Sequence, residues 1–304
     1  MRIAIIGMGS MGPGMAARLA RGGHDVAAHD VAPAAMDRAR ALQPMIGVAL
    51  DGLDIADAGG AITFADTLEQ AVAGAGLVIE NVPEKVEIKA DLYRRLAPLL
   101  GADTILATDT SGIPITTLQA HVADPARFVG MHWSNPPHII PMIEVIAGAA
   151  TAPATVDAIV ALIRQLNLLP VVLKRDVPGF VENRVLYALL RECVDLVETG
   201  VIDAQDLDTC VKWGIGYKLS VVGPMRLLDM AGLDIYQSVA SFLNAELCDR
   251  ADVSPMVTQQ TAQGRLGMKT GGGLFPYTPD DLRDLPRARA ATLVAVRRVL
   301  EAGG

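Results

Sequence analysis

The sequence predicts an α/β fold in which an N-terminal domain, built on a mostly parallel sheet, precedes a second, all-helical C-terminal domain. Three observations lead there. From Arg2 to Leu173, short apolar runs alternate with segments of helical spacing, the pattern of a parallel sheet covered by helices on both faces. Past Asp176 the spacing is helical alone. At 304 residues with 51% hydrophobic content, the chain is long enough for two domains and rich enough for a large core.

Arg2–Ile6 reads as a buried strand and runs into Gly7-Met8-Gly9-Ser10-Met11-Gly12. Met11–Arg21 follows with helical spacing and stops at Gly22-Gly23; Pro13 falls in the first turn, where a missing N–H costs nothing. Asp25–Ala28 is the next strand and ends at His29-Asp30. The three glycines suit a tight turn, close backbone approach to a pyrophosphate, and close helix–strand packing. The helix start at Ser10, Met11 and Gly12 offers N–H groups and partial positive charge to phosphates. Asp30 lies 18 residues beyond Gly12, where an acid accepts from the ribose hydroxyls of NAD and repels the extra phosphate of NADP. Together these predict a Rossmann-type unit with Gly7, Gly9, Ser10, Met11, Gly12 and Asp30 on NAD.

Further strands are expected at Ala61–Phe64, Leu77–Glu80, Thr104–Ala107 and Phe128–Met131, with helices at Thr67–Val72 and Glu84–Leu100. Gly47–Gly60, rich in glycine and aspartate, reads as a helix–loop excursion after the second helix. Three segments leave strands for loops: Glu80–Glu84, Thr108–Ser111 and His132–Asn135. Ligands of open parallel sheets bind off the carboxyl ends of strands, so Glu84 and Asn135 belong to the cofactor side.

The stretch Arg127–Ile146 carries the chemistry. Two apolar runs flank Pro136, Pro137 and Pro141, which cannot donate to a ladder and so force a loop. An antiparallel pair folded about His138 sets His132 opposite Glu144, with Cβ atoms about 4.5–5.5 Å apart. Glu144 is the one charge in its apolar run, where an unpaired carboxylate is costly. A histidine held by a buried carboxylate has a fixed tautomer and raised basicity, which suits a general base.

Thr151–Leu166 has the spacing of an amphipathic helix, and Pro170–Leu173 makes a last strand. The charged, Pro/Gly-bearing joint Lys174–Phe180 places the boundary between residues 1–175 and 176–304. Helices are expected at Phe180–Glu198, Asp203–Trp213 and Met225–Leu247, with no strand pattern until Gly271–Pro276; Asn183 starts the first and can point back at the cofactor domain.

Net charge is −8 without a block of Lys or Arg, which argues against nucleic acid or an anionic membrane as partner. No run approaches ~18–20 uncharged apolar residues, and the glycine-broken start reads as mature structure, so a cytoplasmic protein is expected. Cys193, Cys210 and Cys248 are scattered, with no CxxC and no clustered histidines; neither disulfide nor metal is called for.

Set together, these segments resemble the 3-hydroxyacyl-CoA dehydrogenase family over nearly the whole length. The likeness rests on Gly7–Gly12, on Glu80 to Lys89 (E-x-V-P-E-x4-K), and on Thr110-Ser111. It also rests on His132–Pro136 with Glu144, on Asp176–Arg184 (D-x-P-G-F-x-x-N-R) and on Gly264–Tyr277. The resemblance implies an NAD-binding domain with a helical domain that forms a homodimer contact. It also implies a small-molecule substrate, His132 as base, Glu144 as its orienting partner, and Ser111 and Asn183 as hydrogen-bonders near the reacting oxygen. Glu84, Lys89 and Asn135 are implied on the cofactor side. Oxidising a secondary alcohol needs such a base while hydride passes to nicotinamide.

The chain departs from the family at Asp109, where Asn is usual, and at Trp133-Ser134, where two aromatics are usual. The substrate implied first is a 3-hydroxyacyl-CoA. The tail at Gly264–Tyr277 favours it, as does Asp109, whose charge would repel a free carboxylate. The alternative is a non-CoA 3-hydroxy acid of gulonate or carnitine type, favoured by the scarcity of cations over Ala32–Leu50, where Arg38 and Arg40 stand alone. A second alternative is a non-catalytic, crystallin-like NAD-binding protein.

Overall fold

The computed structural model describes residues 1–303. Two compact units divide the chain: Met1–Asn183 with Leu293–Arg297, and Arg184–Thr292 with the residues after Arg297.

The first unit holds an eight-stranded sheet. Its elements are β1 (Arg2–Ile6), α1 (Gly12–Arg21), β2 (Asp25–His29), α2 (Pro33–Gly52), β3 (Ile62–Phe64), α3 (Leu68–Val72), β4 (Leu77–Glu80), α4 (Val86–Leu96), β5 (Ile105–Thr108), α5 (Ile115–Gln119), β6 (Phe128–Trp133), β7 (Met142–Ile146), α6 (Pro153–Gln165) and β8 (Leu169–Leu173). The strand order is β3-β2-β1-β4-β5-β6-β7-β8, and every neighbouring pair is parallel except β6 with β7. The mostly parallel α/β fold read from the sequence is what the chain adopts.

Both faces of this sheet are covered, which is why its central strands are apolar throughout rather than alternating. On β1, Ile3 and Ile5 enter one core with Met15 and Leu19 of α1 and Ile163 of α6. Ala4 and Ile6 enter the other with Leu68 of α3 and Leu92, Tyr93 and Leu96 of α4. Each such Leu or Ile contributes roughly 1.5–3 kcal/mol by leaving water. The sheet therefore gives a rigid base from which the carboxyl ends of β1, β4, β5 and β6 present their loops.

The β6–β7 hairpin sets the site. His132 pairs opposite Glu144, with Met131 opposite Val145 and Trp133 opposite Ile143, the register that a fold about His138 predicts. The intervening loop contains a cis peptide at Asn135–Pro136.

The second unit is helical. α7 (Glu182–Glu198) leads into it; α8 (Ala204–Cys210), a π-helical stretch at Val211–Gly216, α9 (Tyr217–Leu219), α10 (Pro224–Ala231), α11 (Leu233–Leu243) and α12 (Pro255–Ala262) follow, and α13 (Pro279–Ala302) ends the chain. No residue of α7 through α11 is buried. Trp213, Tyr217, Met225, Met230 and Phe242 are each more than 60% exposed. Among the described residues, no helix is long and apolar enough to cross a membrane.

Several local expectations need correction. Gly47 is not in a loop: α2 continues to Gly52 through both Pro44 and Gly47. A mid-helix glycine costs about 1 kcal/mol, and burial of Ile46 and Leu50 against Ala17 offsets it. The helix expected over Met225–Leu247 breaks at Gly232, whose φ of +103° joins α10 to α11. Gly271–Pro276 forms only isolated bridges, Gly267 with Gly272 and Gly272 with Pro276. The 24-residue α13 escaped the sequence reading because Pro286 interrupts its pattern, although Thr278 and Asp281 form a capping box at its start.

Candidate active site

The glycine turn at the end of β1 has the geometry that a dinucleotide needs. Gly7 has φ +109°, and a Cβ there would lie 2.5 Å from the Asn81 carbonyl oxygen. A Cβ on Gly12 would lie 2.2 Å from the Gly7 carbonyl oxygen, whereas one on Gly9 would meet nothing within 4 Å. The outer glycines are thus demanded by backbone packing, and the middle one faces the open space that a pyrophosphate would fill.

Asp30, just past β2, is fastened to this turn: Oδ2 accepts the Met8 N–H at 2.7 Å, and Oδ1 accepts the Ala32 N–H at 2.8 Å. Each oxygen keeps a lone pair for a ribose hydroxyl. A cleft of about 400 Å³ opens beside it, lined by Asp30, Val31, Met36, Arg40 and Leu68 among others. These residues fit NAD.

The second centre is the hairpin. His132 Nδ1 lies 2.8 Å from Glu144 Oε2, both side chains being buried. Glu144 Oε1 accepts two backbone N–H groups from the start of α7, Val181 at 2.9 Å and Glu182 at 3.0 Å. Burial works against the Glu144 charge, but the His132 bond and these two amides together hold its carboxyl below the ordinary carboxylate value. For His132, burial likewise opposes the charged form. The Glu144 bond, with the nearby charges of Asp109, Glu144 and Glu182, outweighs it and raises the imidazole above its usual value. With Nδ1–H donated to Glu144, the lone pair sits on Nε2, the arrangement of a base.

Phe180 packs on the imidazole, ring centroids 5.6 Å apart. It is fully buried and holds φ +52°, following Gly179 at +74°. A left-handed phenylalanine costs of order 1 kcal/mol or more, and this turn is what brings the Val181 and Glu182 amides onto Glu144. Glu182 itself carries a third carboxylate to the site. It accepts the Ser134 hydroxyl, and ligand atoms of His132, Glu144 and Glu182 lie within 4.8 Å of one another.

The remaining sequence-predicted residues meet around Glu84. Its Oε1 accepts the Thr110 hydroxyl at 2.6 Å and the N–H groups of Ser111 and Gly112 at 2.9 and 3.0 Å. Burial opposes its charge, yet the Thr110 bond, the Lys89 charge and the two amides hold the carboxyl below its ordinary value. Asn183 donates its amide to the Ser111 carbonyl at 2.7 Å, so these two predicted hydrogen-bonders are neighbours.

Lys89 is turned inward, 1% exposed, between Glu80 at 2.7 Å, the Val82 carbonyl at 3.3 Å and Glu84 at 3.5 Å. Its three N–H directions are occupied, so its place in the site is to hold Glu84 rather than to touch a cofactor. Glu80 also accepts from Tyr93 and Thr108 at 2.7 and 2.8 Å, which satisfies a fully buried carboxylate. Ser10 and Met11 lead into α1, and Asn135 stands two residues past the carboxyl end of β6.

Asp109 was expected to repel a carboxylate if it faced the pocket. Its Oδ1 instead accepts the Trp133 N–H at 2.8 Å, bracing the residue next to His132. Burial pushes its carboxyl up to about 7, so near neutral pH its charge is only partial, and the repulsion argument for a CoA substrate weakens. Glu182 was not singled out from the sequence, and Ser134 and Phe180 entered the sequence reading only as a departure from the family and as a motif position, with no role in the site. Glu182 lies at a variable position of the Asp176–Arg184 motif, where only the fixed positions were informative, and a long-range pair such as Ser134–Glu182 leaves no spacing signal.

Comparison with known proteins is consistent along the chain. The family model for the 3-hydroxyacyl-CoA dehydrogenase NAD binding domain matches residues 2–177, and that for the C-terminal domain matches residues 179–277. The chain is 66% identical over 302 residues to 5-formyl-3-hydroxy-2-methylpyridine 4-carboxylate 5-dehydrogenase of Mesorhizobium japonicum, covering 98% of each protein. It is 40% identical over 233 residues to L-carnitine dehydrogenase of Streptomyces griseus, covering 76% of this chain and 70% of that one. A crystal structure of a 5-formyl-3-hydroxy-2-methylpyridine 4-carboxylic acid 5-dehydrogenase, described as an NAD+ dependent dismutase, superposes with TM-score 0.97 at 65% identity over 99% of this chain and 98% of that one.

Proposed function

The chain belongs to the 3-hydroxyacyl-CoA dehydrogenase family and is an NAD-dependent oxidoreductase, and from that premise we propose that it oxidises the formyl group of a small pyridine carboxylate. The substrate is 5-formyl-3-hydroxy-2-methylpyridine 4-carboxylate or a close analogue, and the product is the corresponding carboxylate. The observation that carries this reading is the 66% identity, over 98% of both chains, to an enzyme of that name. The CoA thioester is not retained. Asp109 braces the strand backbone rather than screening out carboxylates, and Lys and Arg remain scarce where CoA phosphates would need them.

Bound NAD supplies the hydride acceptor. The residues of the chain do the rest. Asp30 and the Gly7–Gly12 turn hold the adenosine ribose and pyrophosphate, and Glu84 fixes the Ser111 loop. Ser111 and Asn183 donate to the oxygen of the reacting carbon, where negative charge builds when water or hydroxyl is deprotonated. His132 Nε2 takes a hydroxyl proton while Glu144 keeps the imidazole in the right tautomer. The apolar faces of α7 through α11 are covered by a second copy of the chain, giving a homodimer.

The test is NADH formation by the purified protein with the formylpyridine carboxylate, 3-hydroxybutyryl-CoA and carnitine in parallel. Turnover of the formylpyridine with kcat/KM well above the other two is expected. Preference for 3-hydroxybutyryl-CoA would overturn the substrate assignment.

A further inference from the structure

Oxidising an aldehyde makes a demand that oxidising an alcohol does not. A secondary alcohol releases one proton as its hydride leaves. An aldehyde must add water, and the full reaction of aldehyde, water and NAD+ gives carboxylate, NADH and two protons. His132, tied through Nδ1 to Glu144, offers one nitrogen for one of those protons. A second acceptor has to stand within reach of the same carbon.

Glu182 lies beside the His132–Glu144 pair. It is half-buried at the start of α7, is gripped by the Ser134 hydroxyl, and comes within 4.8 Å of the His132 and Glu144 polar atoms. An acid in a first helical turn is ordinarily explained by the helix dipole, worth ~0.3–1 kcal/mol. That explanation falls short here. Glu144 already accepts the two amides at this helix start, and a second carboxylate beside it adds like-charge repulsion. Ser134 also directs the group back towards the base rather than out to solvent.

Resting on the aldehyde reading above, we propose that Glu182 is the second base of the site and acts on water. As the water oxygen bonds to the formyl carbon, Glu182 takes one of its protons and the carbonyl electron pair moves onto the formyl oxygen. Return of that pair restores the C=O bond and expels the hydride to bound NAD+, while the remaining hydroxyl proton passes to His132. The separate half-reaction, reduction of the same aldehyde to the alcohol by NADH, adds no water and needs only the proton on His132. Glu182 therefore serves oxidation and not reduction.

Glu182→Gln keeps an oxygen for Ser134 and removes the base. With the formylpyridine substrate, the ratio of NAD-linked oxidation to NADH-linked reduction should fall about 10²-fold, the lower end of what one general base supplies. His132→Gln should lower both directions together. Without nucleotide, the wild-type protein should speed saturation transfer between the formyl and hydrate proton signals of the substrate, and Glu182→Gln should not. An unchanged ratio in Glu182→Gln, whether both rates fall or neither does, would overturn the proposal. So would wild-type protein that leaves the exchange at its background rate. A wild-type protein inert towards the aldehyde in both directions, yet active on another substrate, would instead sink the substrate assignment beneath it.

Discussion

Glu144→Gln should remove most of the activity by moving one proton on the neighbouring histidine. In the wild-type site, Glu144 Oε1 accepts two backbone amides at 2.9 and 3.0 Å, and Oε2 accepts Nδ1–H of His132 at 2.8 Å. A glutamine has one carbonyl oxygen. Two fixed amide donors claim it, so its NH2 group is left facing Nδ1. The imidazole then presents a lone pair at Nδ1, and the proton moves to Nε2, where the base is needed. The loss should match removal of a general base, ~10²–10⁴-fold in kcat. NAD affinity should stay near wild type, because Asp30 and the glycine turn are untouched. His132→Ala should fall as far, and the double variant little further, since residues acting as one unit give non-additive losses. The assay is steady-state NADH formation, with nucleotide binding followed by fluorescence. Activity within threefold of wild type, or losses that multiply in the double variant, would refute the tautomer argument.

Four other outcomes are expected. Asp30→Ala removes the acceptor of the Met8 and Ala32 amides at 2.7 and 2.8 Å; NAD should bind more weakly by about 1.5–3 kcal/mol for each charge-assisted bond lost, and the preference over NADP should narrow in a titration with both cofactors. The acid limb of kcat/KM should break above the usual imidazole value of 6.5, because His132 is raised and acts when neutral. Stability carries the matching signs. The share from Glu144 is present above 4.5 and lost as pH falls through its depressed value, and the share from His132 is complete below 6.5 and lost as pH rises through its raised value; thermal melts across the pH range read both. Light scattering at micromolar concentration should give a dimer, and paired Trp213→Asp and Phe242→Asp changes on the exposed helical faces should give monomer or aggregate.

The parts of this fold that were legible in the sequence are those set by short-range chemistry. Gly7–Gly12, Asp30 and the alternation of strands and helices carry their own spacing, and prolines bounding one loop were enough to place His132 against Glu144. What escaped depends on contacts between distant segments. Nothing near Glu182 announces that Ser134 grips it, and nothing near Asp109 announces the Trp133 amide. α2 runs through a proline and a glycine because its buried face outweighs local propensity, and α13 hides its period behind Pro286. The second unit offers apolar helices with little of its own to bury them, so its meaning lies in what covers it.

The measurement that bears most directly on the central claim uses substrate carrying deuterium on the formyl carbon. Incubated with excess NAD+ and the wild-type protein, and read in the initial phase before the NADH formed reduces further aldehyde, it should yield NADH bearing that deuterium, together with the pyridine dicarboxylate in equal amount. Deuterium that stays on carbon, or is lost to water with no label in the NADH, would contradict hydride transfer from the formyl group.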